Sequence, residues 1–195
     1  MTVSQWSAIK ESVVANLAAY HETYLLRRGM PREELKSRLK LSPRLFNLVI
    51  HRLAFENYIS EDARWVALPG HLVIFSPFQL VKVNKLMEQF AQSPYSPPSV
   101  KECQAQVGED IFSTLLELGD LVAVSPEVVF RKSDYETMVG KIRLTIQQKG
   151  QISLAEVRDL FKTSRRYAQA LLENLDATGE TIRLGDFRKL KKREC

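Results

Sequence analysis

The sequence predicts a mainly α-helical protein with small β-hairpins, arranged as three tandem copies of one small domain. Three observations predict this fold class. Apolar residues recur at helical spacing, short apolar runs separated by turn residues follow every third helix, and this order returns about every 60 residues. The 195-residue chain, with 45% hydrophobic residues, has enough apolar side chains to build such cores.

The first copy is predicted over residues 1–70. Its first helix is expected to end at Gly29, because glycine often terminates helices, and Pro31 suits the first turn of the next helix. The predicted elements are helices over 7–28, 31–39 and 42–53, and a hairpin of 58–59 with 65–68.

The second copy, over residues 71–132, repeats this order. Gly119 is expected to end its third helix, and a proline-rich loop over 93–98 separates its first two helices. The predicted elements are helices over 77–92, 99–107 and 109–118, and a hairpin of 121–124 with 128–130.

The third copy, over residues 133–195, carries the clearest local signals. Ser153 and Glu156 form an S-x-x-E capping box, Thr163 or Ser164 is expected to cap the third helix, and Gly179 to end it. The predicted elements are helices over 133–149, 153–161 and 165–178, and a hairpin of 181–184 with 187–190. A three-helix bundle closed by a hairpin is the winged-helix form of the helix-turn-helix motif. A single larger α+β domain would not explain the recurring order.

Charge is segregated along the chain. The net charge is +5 in total, distributed as +3 over residues 1–70, −2 over 71–132 and +4 over 133–195. A module that binds phosphate groups needs such a local excess of cations, whereas a uniformly solvated surface does not.

The sequence offers no enzyme site. It lacks the phosphate-binding motifs GxxxxGK[ST] and GxGxxG, the zinc motif HExxH and the nucleophile motif GxSxG. The three histidines and the two cysteines, Cys103 and Cys195, have no ligand spacing for a metal, and Cys103 is expected to be buried. Because no signal peptide or membrane span is evident, we expect a cytoplasmic protein without membrane contact. From the missing motifs we expect a non-enzymatic protein with no catalytic or metal site. We also expect the protein to be monomeric.

A basic cluster lies at the carboxyl end. Lys162, Arg165 and Arg166 fall at the start of the third helix of the last copy, where helix-turn-helix proteins meet nucleic acid. Further cations flank the wing turn and continue into the terminus: Arg183, Arg188, Lys189, Lys191, Lys192 and Arg193. We predict that helix start and wing together grip a phosphate backbone, the alternative being an ordinary solvated face. Tyr167 is either a core residue in phase with Leu171 or a contact to a nucleotide.

Two stretches of sequence resemble a known family. One comprises Thr163-Ser164-Arg165-Arg166-Tyr167-Ala168, then Leu171-Leu172-Glu173, Asp176, and Arg183-x-Gly185-Asp186-x-Arg188. It resembles the last winged helix of the bacterial selenocysteine-specific elongation factors. The other, Arg27-Arg28-Gly29-Met30-Pro31 with Glu34-Leu35 and Arg38-Leu39, resembles an earlier repeat of the same family. Gln169-Ala170 and Ile182-Arg183 depart from the family pattern.

The resemblance implies a function in selenocysteine insertion. In that family an amino-terminal part binds GTP with magnesium and selenocysteyl-tRNA on the ribosome, and winged helices bind the messenger-RNA hairpin that recodes UGA. By resemblance this chain looks like a carboxyl-terminal fragment with no cofactor of its own. From the basic cluster and the resemblance together, the predicted RNA-binding residues are Lys162, Arg165, Arg166, Tyr167, Arg183, Gly185, Asp186, Arg188 and Lys189. The resemblance also implies that the acidic middle copy is a spacer.

Two other functions remain open on the sequence. A DNA-binding regulator would place the same helix in a major groove and read bases with amide or arginine side chains, of which Gln169 and Asn174 are the amides present. A tandem winged-helix scaffold for proteins would instead present exposed apolar patches.

Overall fold

The computed structural model describes residues 3–191 and is mainly helical, with three small antiparallel sheets. The chain divides into two compact bodies, one ending at Ser76 and the other beginning at Pro77. The first body contains one helix-helix-helix-hairpin motif and the second contains two in succession. Tandem winged-helix motifs are therefore the architecture of this chain, as the sequence predicts. Lys192 and Arg193, predicted to extend the basic cluster, lie outside the described residues.

The first body is one winged helix around a single core. Its elements are α1 Val3–Thr23, β1 Met30–Pro31, α2 Arg32–Leu39, α3 Pro43–Phe55, β2 Ser60–Glu61 and β3 Trp65–Ala67. The strands form a sheet in the order β1-β3-β2. Apolar side chains from every helix fill the core: Val13, Leu17, Tyr20, Met30, Leu35, Phe46, Val49, Ile50, Leu53, Ile59 and Val66.

The prediction for the end of α1 and for Gly29 was wrong. The helix ends at Thr23 instead of residue 28. After it, the backbone N–H of Tyr24 donates to the Tyr20 carbonyl oxygen and that of Arg27 to the Tyr24 carbonyl oxygen, which forms turns. A side chain on Gly29 would place its Cβ 2.7 Å from the carbonyl oxygen of Val66. A glycine is therefore required at position 29, because the chain approaches β3 closely there. Strand β1, which follows Gly29, has only two residues, too short an apolar run to be predicted.

The second body begins with the middle motif. Its elements are α4 Pro77–Gln92, α5 Val100–Val107, α6 Glu109–Leu118, β4 Leu121–Ala123 and β5 Val129–Arg131. Ser99 and Glu102 form a reciprocal capping box at the start of α5, and Gly119 ends α6 in the left-handed conformation. Cys103 is fully buried, as expected, and burial raises the pKa of its thiol to about 12.

The last motif follows without a linker. Its elements are α7 Lys132–Lys149, β6 Ile152–Ser153, α8 Leu154–Phe161, α9 Arg165–Ala177, β7 Thr181–Leu184 and β8 Phe187–Leu190, with the sheet order β6-β8-β7. The predicted capping box of Ser153 and Glu156 is present in both directions. Val124, Val128 and Phe130 of the middle motif belong to the same hydrophobic core as α7, α8 and α9. The two motifs of the second body therefore share a core.

Candidate nucleic-acid interface

The start of α9 exposes two of the predicted cations. Lys162 ends α8 in the left-handed conformation, with φ of 48°, and its side chain is exposed. Ser164 is the N-cap residue of α9 but makes no side-chain capping bond. Arg165 is the first helical residue, is exposed, and no acidic residue occupies this first turn. The positive end of the helix dipole and both cations therefore face solvent together, an arrangement that favours an anion.

Arg166 and Tyr167, in the same turn, contact the middle motif. The Arg166 guanidinium donates through Nη2 to the Glu127 carbonyl oxygen at 3.1 Å, and its Nε lies 3.6 Å from Oε2 of the same residue. The Tyr167 hydroxyl donates to the carbonyl oxygen of Pro97 at 2.6 Å. Its ring packs against the core with Phe130, and burial raises the pKa of the phenol. Tyr167 is thus a packing residue, the first of the two interpretations open on the sequence.

The residue before the N-cap reinforces this contact. Thr163 is buried, and its hydroxyl bonds both to the carbonyl oxygen of Tyr95 and, at 3.0 Å, to the Ser96 hydroxyl. The Tyr95 ring lies 5.0 Å from the Phe161 ring at the end of α8. The proline-rich loop, predicted only as a connection, therefore holds the start of α9 in place. The available sequence signals were a tyrosine between two prolines and Thr163, which was one of the two predicted cap residues.

The wing presents two further cations in different ways. Strands β7 and β8 pair with Arg183 opposite Arg188 and Ile182 opposite Lys189, and Gly185 takes a φ of 61° in the turn. Arg183 is exposed, and its Nε donates to the carbonyl oxygen of Gly185 at 3.1 Å, inside its own turn. Asp186 and Lys189 are also exposed. The turn thus offers Arg183 and Lys189 to solvent, with the Asp186 carboxylate between them in sequence.

Arg188 serves the fold and not the surface. Its side chain is only 6% exposed, and its Nε lies 3.3 Å from Oδ2 of Asp176 in the last turn of α9. The Asp176 carboxylate also accepts a hydrogen bond of 2.6 Å from the Thr181 hydroxyl. This pair ties both wing strands to the end of α9, so Arg188 lacks the exposure that a phosphate contact needs.

The nine predicted residues therefore fall into three sets. Four exposed cations carry no ion pair within the described part of the chain: Lys162, Arg165, Arg183 and Lys189. Arg166, Tyr167 and Arg188 are held by intramolecular contacts, and Gly185 and Asp186 form the wing turn. Arg165 and Asp176, which anchors the wing, are about 16 Å apart along the axis of α9 at 1.5 Å per residue. The start of α9 and the point where the wing is anchored are thus separated by almost the whole length of the helix.

The amides that a DNA reader would use are engaged elsewhere. Gln169 donates to the Glu173 carboxylate at 2.8 Å, and the Asn174 side-chain oxygen accepts from the Tyr135 hydroxyl at 2.9 Å. Base-reading side chains in a major groove must instead be free to form two hydrogen bonds with a base edge. Both amides of α9 are therefore engaged in intramolecular contacts, whereas Arg165 stays exposed.

Residues 3–191 also bear on metal binding and on membrane insertion. No group of three or more histidine, cysteine or acidic side chains is placed to hold a metal ion in this range. In the same part of the chain, no helix combines the length and apolarity needed to cross a membrane.

Comparison with known proteins assigns both ends of the chain. Two family models, each described as a winged helix of elongation factor SelB, match residues 14–68 and 145–190, together about half of the chain. The selenocysteine-specific elongation factor of Desulfomicrobium baculatum is 28% identical over 185 residues, which are 91% of this chain and 29% of that protein. The chain spans roughly 30% of the length of the curated relatives that it matches.

Two solved structures match this chain to different extents. The crystal structure of a bacterial selenocysteine-specific elongation factor, EF-Sec, matches 97% of this chain and 30% of that one, with a TM-score of 0.55 and 14% identity. The mRNA-binding domain of elongation factor SelB from E. coli, solved in complex with SECIS RNA, matches 60% of this chain and 100% of that one, with a TM-score of 0.49 and 24% identity. On the family models and the relatives in sequence, this chain belongs to the family of SelB winged-helix domains.

Proposed function

We propose that this chain is the messenger-RNA-binding part of a selenocysteine-specific elongation factor and binds the SECIS hairpin through its last motif. The observation that carries the proposal is the set of four exposed cations on that motif: Lys162, Arg165, Arg183 and Lys189. Membership of the SelB family supplies the biological context. The GTP, magnesium, selenocysteyl-tRNA and ribosome contacts of such a factor would belong to parts of the protein outside this sequence.

The four cations suit the two edges of an RNA hairpin. Arginine forks bind phosphate in a bidentate manner, and lysines add attraction that salt screens. Arg165 also lies at the positive end of α9, which adds a partial charge and backbone N–H donors. The first residue of α9 and Asp176, to which the wing is anchored, are about 16 Å apart along the helix axis, so cations at the helix start and on the wing would contact different phosphates.

The remaining predicted residues would act indirectly. Arg188 would hold the wing against Asp176, and Tyr167 would hold the start of α9 against Pro97. Arg166 stays close enough to the surface, at 47% side-chain exposure, to share its charge with RNA. This division predicts that exposed cations change RNA affinity directly, whereas buried partners change it only through stability and position.

The test compares a bulged RNA hairpin with duplex DNA of the same sequence at several salt concentrations. We expect Arg165→Ala and Arg183→Ala each to weaken hairpin binding and to reduce the salt slope by about 0.7 to 0.9. Arg143→Ala is a matched control, because Arg143 is a half-exposed arginine on α7 that pairs with Glu180. Equal or tighter binding of the DNA duplex, or equal losses in the control, would refute the proposal.

A further inference from the structure

The first body carries an exposed face of unusual composition on its third helix, α3. Arg44, Asn47, His51 and Phe55 follow the spacing i, i+3, i+7, i+11, which places them along one side of the helix. All four are exposed, and Phe55 is 87% exposed. The opposite side, with Phe46, Val49, Ile50 and Leu53, is buried in the core. The solvent side of α3 thus presents a cation, an amide, an imidazole and a bare aromatic ring.

The wing of this body is held against the same face. Arg32, at the start of α2, donates through Nη2 to the Asn47 side-chain oxygen at 3.2 Å and forms an ion pair with Glu61 of β2. His51 Nδ1 lies 2.9 Å from the other oxygen of Glu61. These contacts join α2, the middle of α3 and strand β2. The wing turn, which follows Glu61 directly, is therefore fixed beside the exposed side of α3.

Three cations without an ion pair in the described part of the chain lie on α3 or on the segments next to it in the first body. Lys40 ends α2 in the left-handed conformation, Arg44 lies in the first turn of α3, and Arg64 lies in the wing turn. All three are exposed and, within residues 3–191, form no ion pair. Glu61 pairs with Arg32 and Glu56 pairs with Arg52. By contrast, among the described residues the exposed Asp62 carboxylate accepts hydrogen bonds only from the backbone N–H groups of Arg64 and Trp65. Lys40, Arg44 and Arg64 together outweigh the Asp62 carboxylate and leave a net positive charge.

The last motif provides an internal reference for this arrangement. In both motifs an eight-residue second helix ends at a left-handed lysine, Lys40 or Lys162, and a 13-residue third helix follows after the same interval. Arg44 therefore corresponds to Arg166, which Glu127 binds in the last motif. The helix of the last motif has Glu173 and Ala177 at the positions of His51 and Phe55. Unlike Arg166, Arg44 therefore has no ion pair within residues 3–191, and the first body has the aromatic ring of Phe55 where the last motif has an alanine.

We propose that this face of α3, with the wing turn, is a second RNA-binding surface of the chain. Phosphate groups would contact Lys40, Arg44 and Arg64, and an unpaired base would stack on Phe55. An exposed phenylalanine on the same side of a helix as an unpaired arginine suits single-stranded RNA, because backbone charge and base faces are then bound together. The choice of RNA over DNA rests on the proposed function, whereas the location of the surface does not.

The test uses the full chain with the last-motif cations removed by Arg165→Ala and Arg183→Ala. The probe is a fluorescent oligouridylate, and the readouts are its dissociation constant across salt concentrations and ultraviolet cross-linking with mass spectrometry. We expect residual binding that Phe55→Ala weakens about five- to 100-fold. Arg44→Ala should reduce the salt slope by about 0.7, and cross-links should fall on the peptide containing Phe55.

Two matched variants control for exposure and charge. Phe78→Ala removes a phenylalanine of α4 that is 70% exposed and also has a lysine, Lys82, over its ring. Arg38→Ala removes an arginine of α2 that is paired with Glu34. Since every substituted side chain is exposed, we expect all variants to keep the wild-type melting temperature within a few degrees. Both controls should bind the probe like the background chain.

Several results would overturn the inference. They are an absence of residual binding in the background chain, an effect of Phe55→Ala below about twofold, or equal effects of Phe78→Ala. Loss of self-association in Phe55→Ala with unchanged RNA binding would instead assign the face to protein contacts. The proposed function fails separately, if the background chain binds the bulged hairpin as tightly as the wild type does.

Discussion

Replacing Arg188 by methionine tests whether this arginine supports the fold or binds RNA. The sequence pattern places Arg188 among the RNA-binding residues, whereas the structure buries its guanidinium and pairs Nε with Asp176 at 3.3 Å. Methionine keeps an unbranched apolar side chain of similar reach, so that mainly the charge and the hydrogen bond are lost. The expected result is a less stable second body.

The size of the stability loss depends on the interactions that the Asp176 carboxylate retains without Arg188. Removing one partner of a fully buried ion pair costs about 3–5 kcal/mol, because the other charge is left uncompensated. Here the Asp176 side chain is 22% exposed and still accepts a hydrogen bond from Thr181. Water and the hydroxyl compensate part of the loss, so we expect a decrease of about 2–3 kcal/mol in the free energy of unfolding.

The assay can separate the two bodies. Trp6 and Trp65 both lie in the first body, so tryptophan fluorescence reports its unfolding, while circular dichroism in the far ultraviolet reports both. In urea, Arg188→Met should move the circular-dichroism transition and leave the fluorescence transition unchanged. A double-mutant cycle with Asp176→Asn should give a coupling energy of at least about 1 kcal/mol.

The exposed wing arginine is the control for this experiment. Arg183→Ala should change stability by less than about 0.5 kcal/mol, because only a bond within its own turn is lost. A stability cost of Arg188→Met below about 0.5 kcal/mol would refute the structural role. Strictly additive effects of Arg188→Met and Asp176→Asn would do so as well.

Two further predictions follow from buried polar groups. Tyr167→Phe removes the hydrogen bond to Pro97, should cost about 0.5–1.5 kcal/mol, and should leave the salt slope of RNA binding unchanged; a reduced slope would contradict the packing role. In the first body, burial lowers the pKa of His21 to about 4, with a smaller contribution from the stacked His71. Because the unfolded chain takes up this proton near pH 6.5, stability should be constant above that pH and fall by about 1–3 kcal/mol as the pH drops to about 4. Urea unfolding monitored by tryptophan fluorescence across this pH range measures the change. The stability of the His21→Leu variant should stay nearly constant over the same range.

The physical basis of the His21 prediction is visible in its hydrogen bonds. His21 is 8% exposed, and its Nε2 accepts a bond of 3.2 Å from the backbone N–H of Leu68. Nδ1 is buried without a partner among the described residues. Protonation would place a donor at Nε2 facing another donor, so the charged form loses a bond as well as its hydration.

The fold was largely predictable from local signals. Helical periodicity predicted α4, α5 and α6 to within a residue, and the capping residue Ser153 lies where its box predicts. These signals are readable because caps and amphipathic faces involve residues only three or four apart. Gly29 was misinterpreted because its neighbour, the carbonyl of Val66, is far away in sequence.

The candidate site was predictable as a region but not residue by residue. Composition shows that the last motif is basic, and the resemblance indicates which helix and wing carry the charge. Composition cannot show that Arg188 pairs with Asp176 or that Arg166 pairs with Glu127, because both partners are distant along the chain. The α3 face was missed since its residues are not contiguous and include only one cation on the helix.

The sequence by itself determined the element order, the repeat, the family and the excess of positive charge in the last motif, because each depends on residue types at short spacing. Only the tertiary structure decided which of those charges face solvent. Arg165 and Arg183 stay exposed, while Arg188 is buried and Tyr167 is held by Pro97. The reason is physical: whether an arginine binds a phosphate or a carboxylate depends on which anion the fold brings within hydrogen-bonding distance.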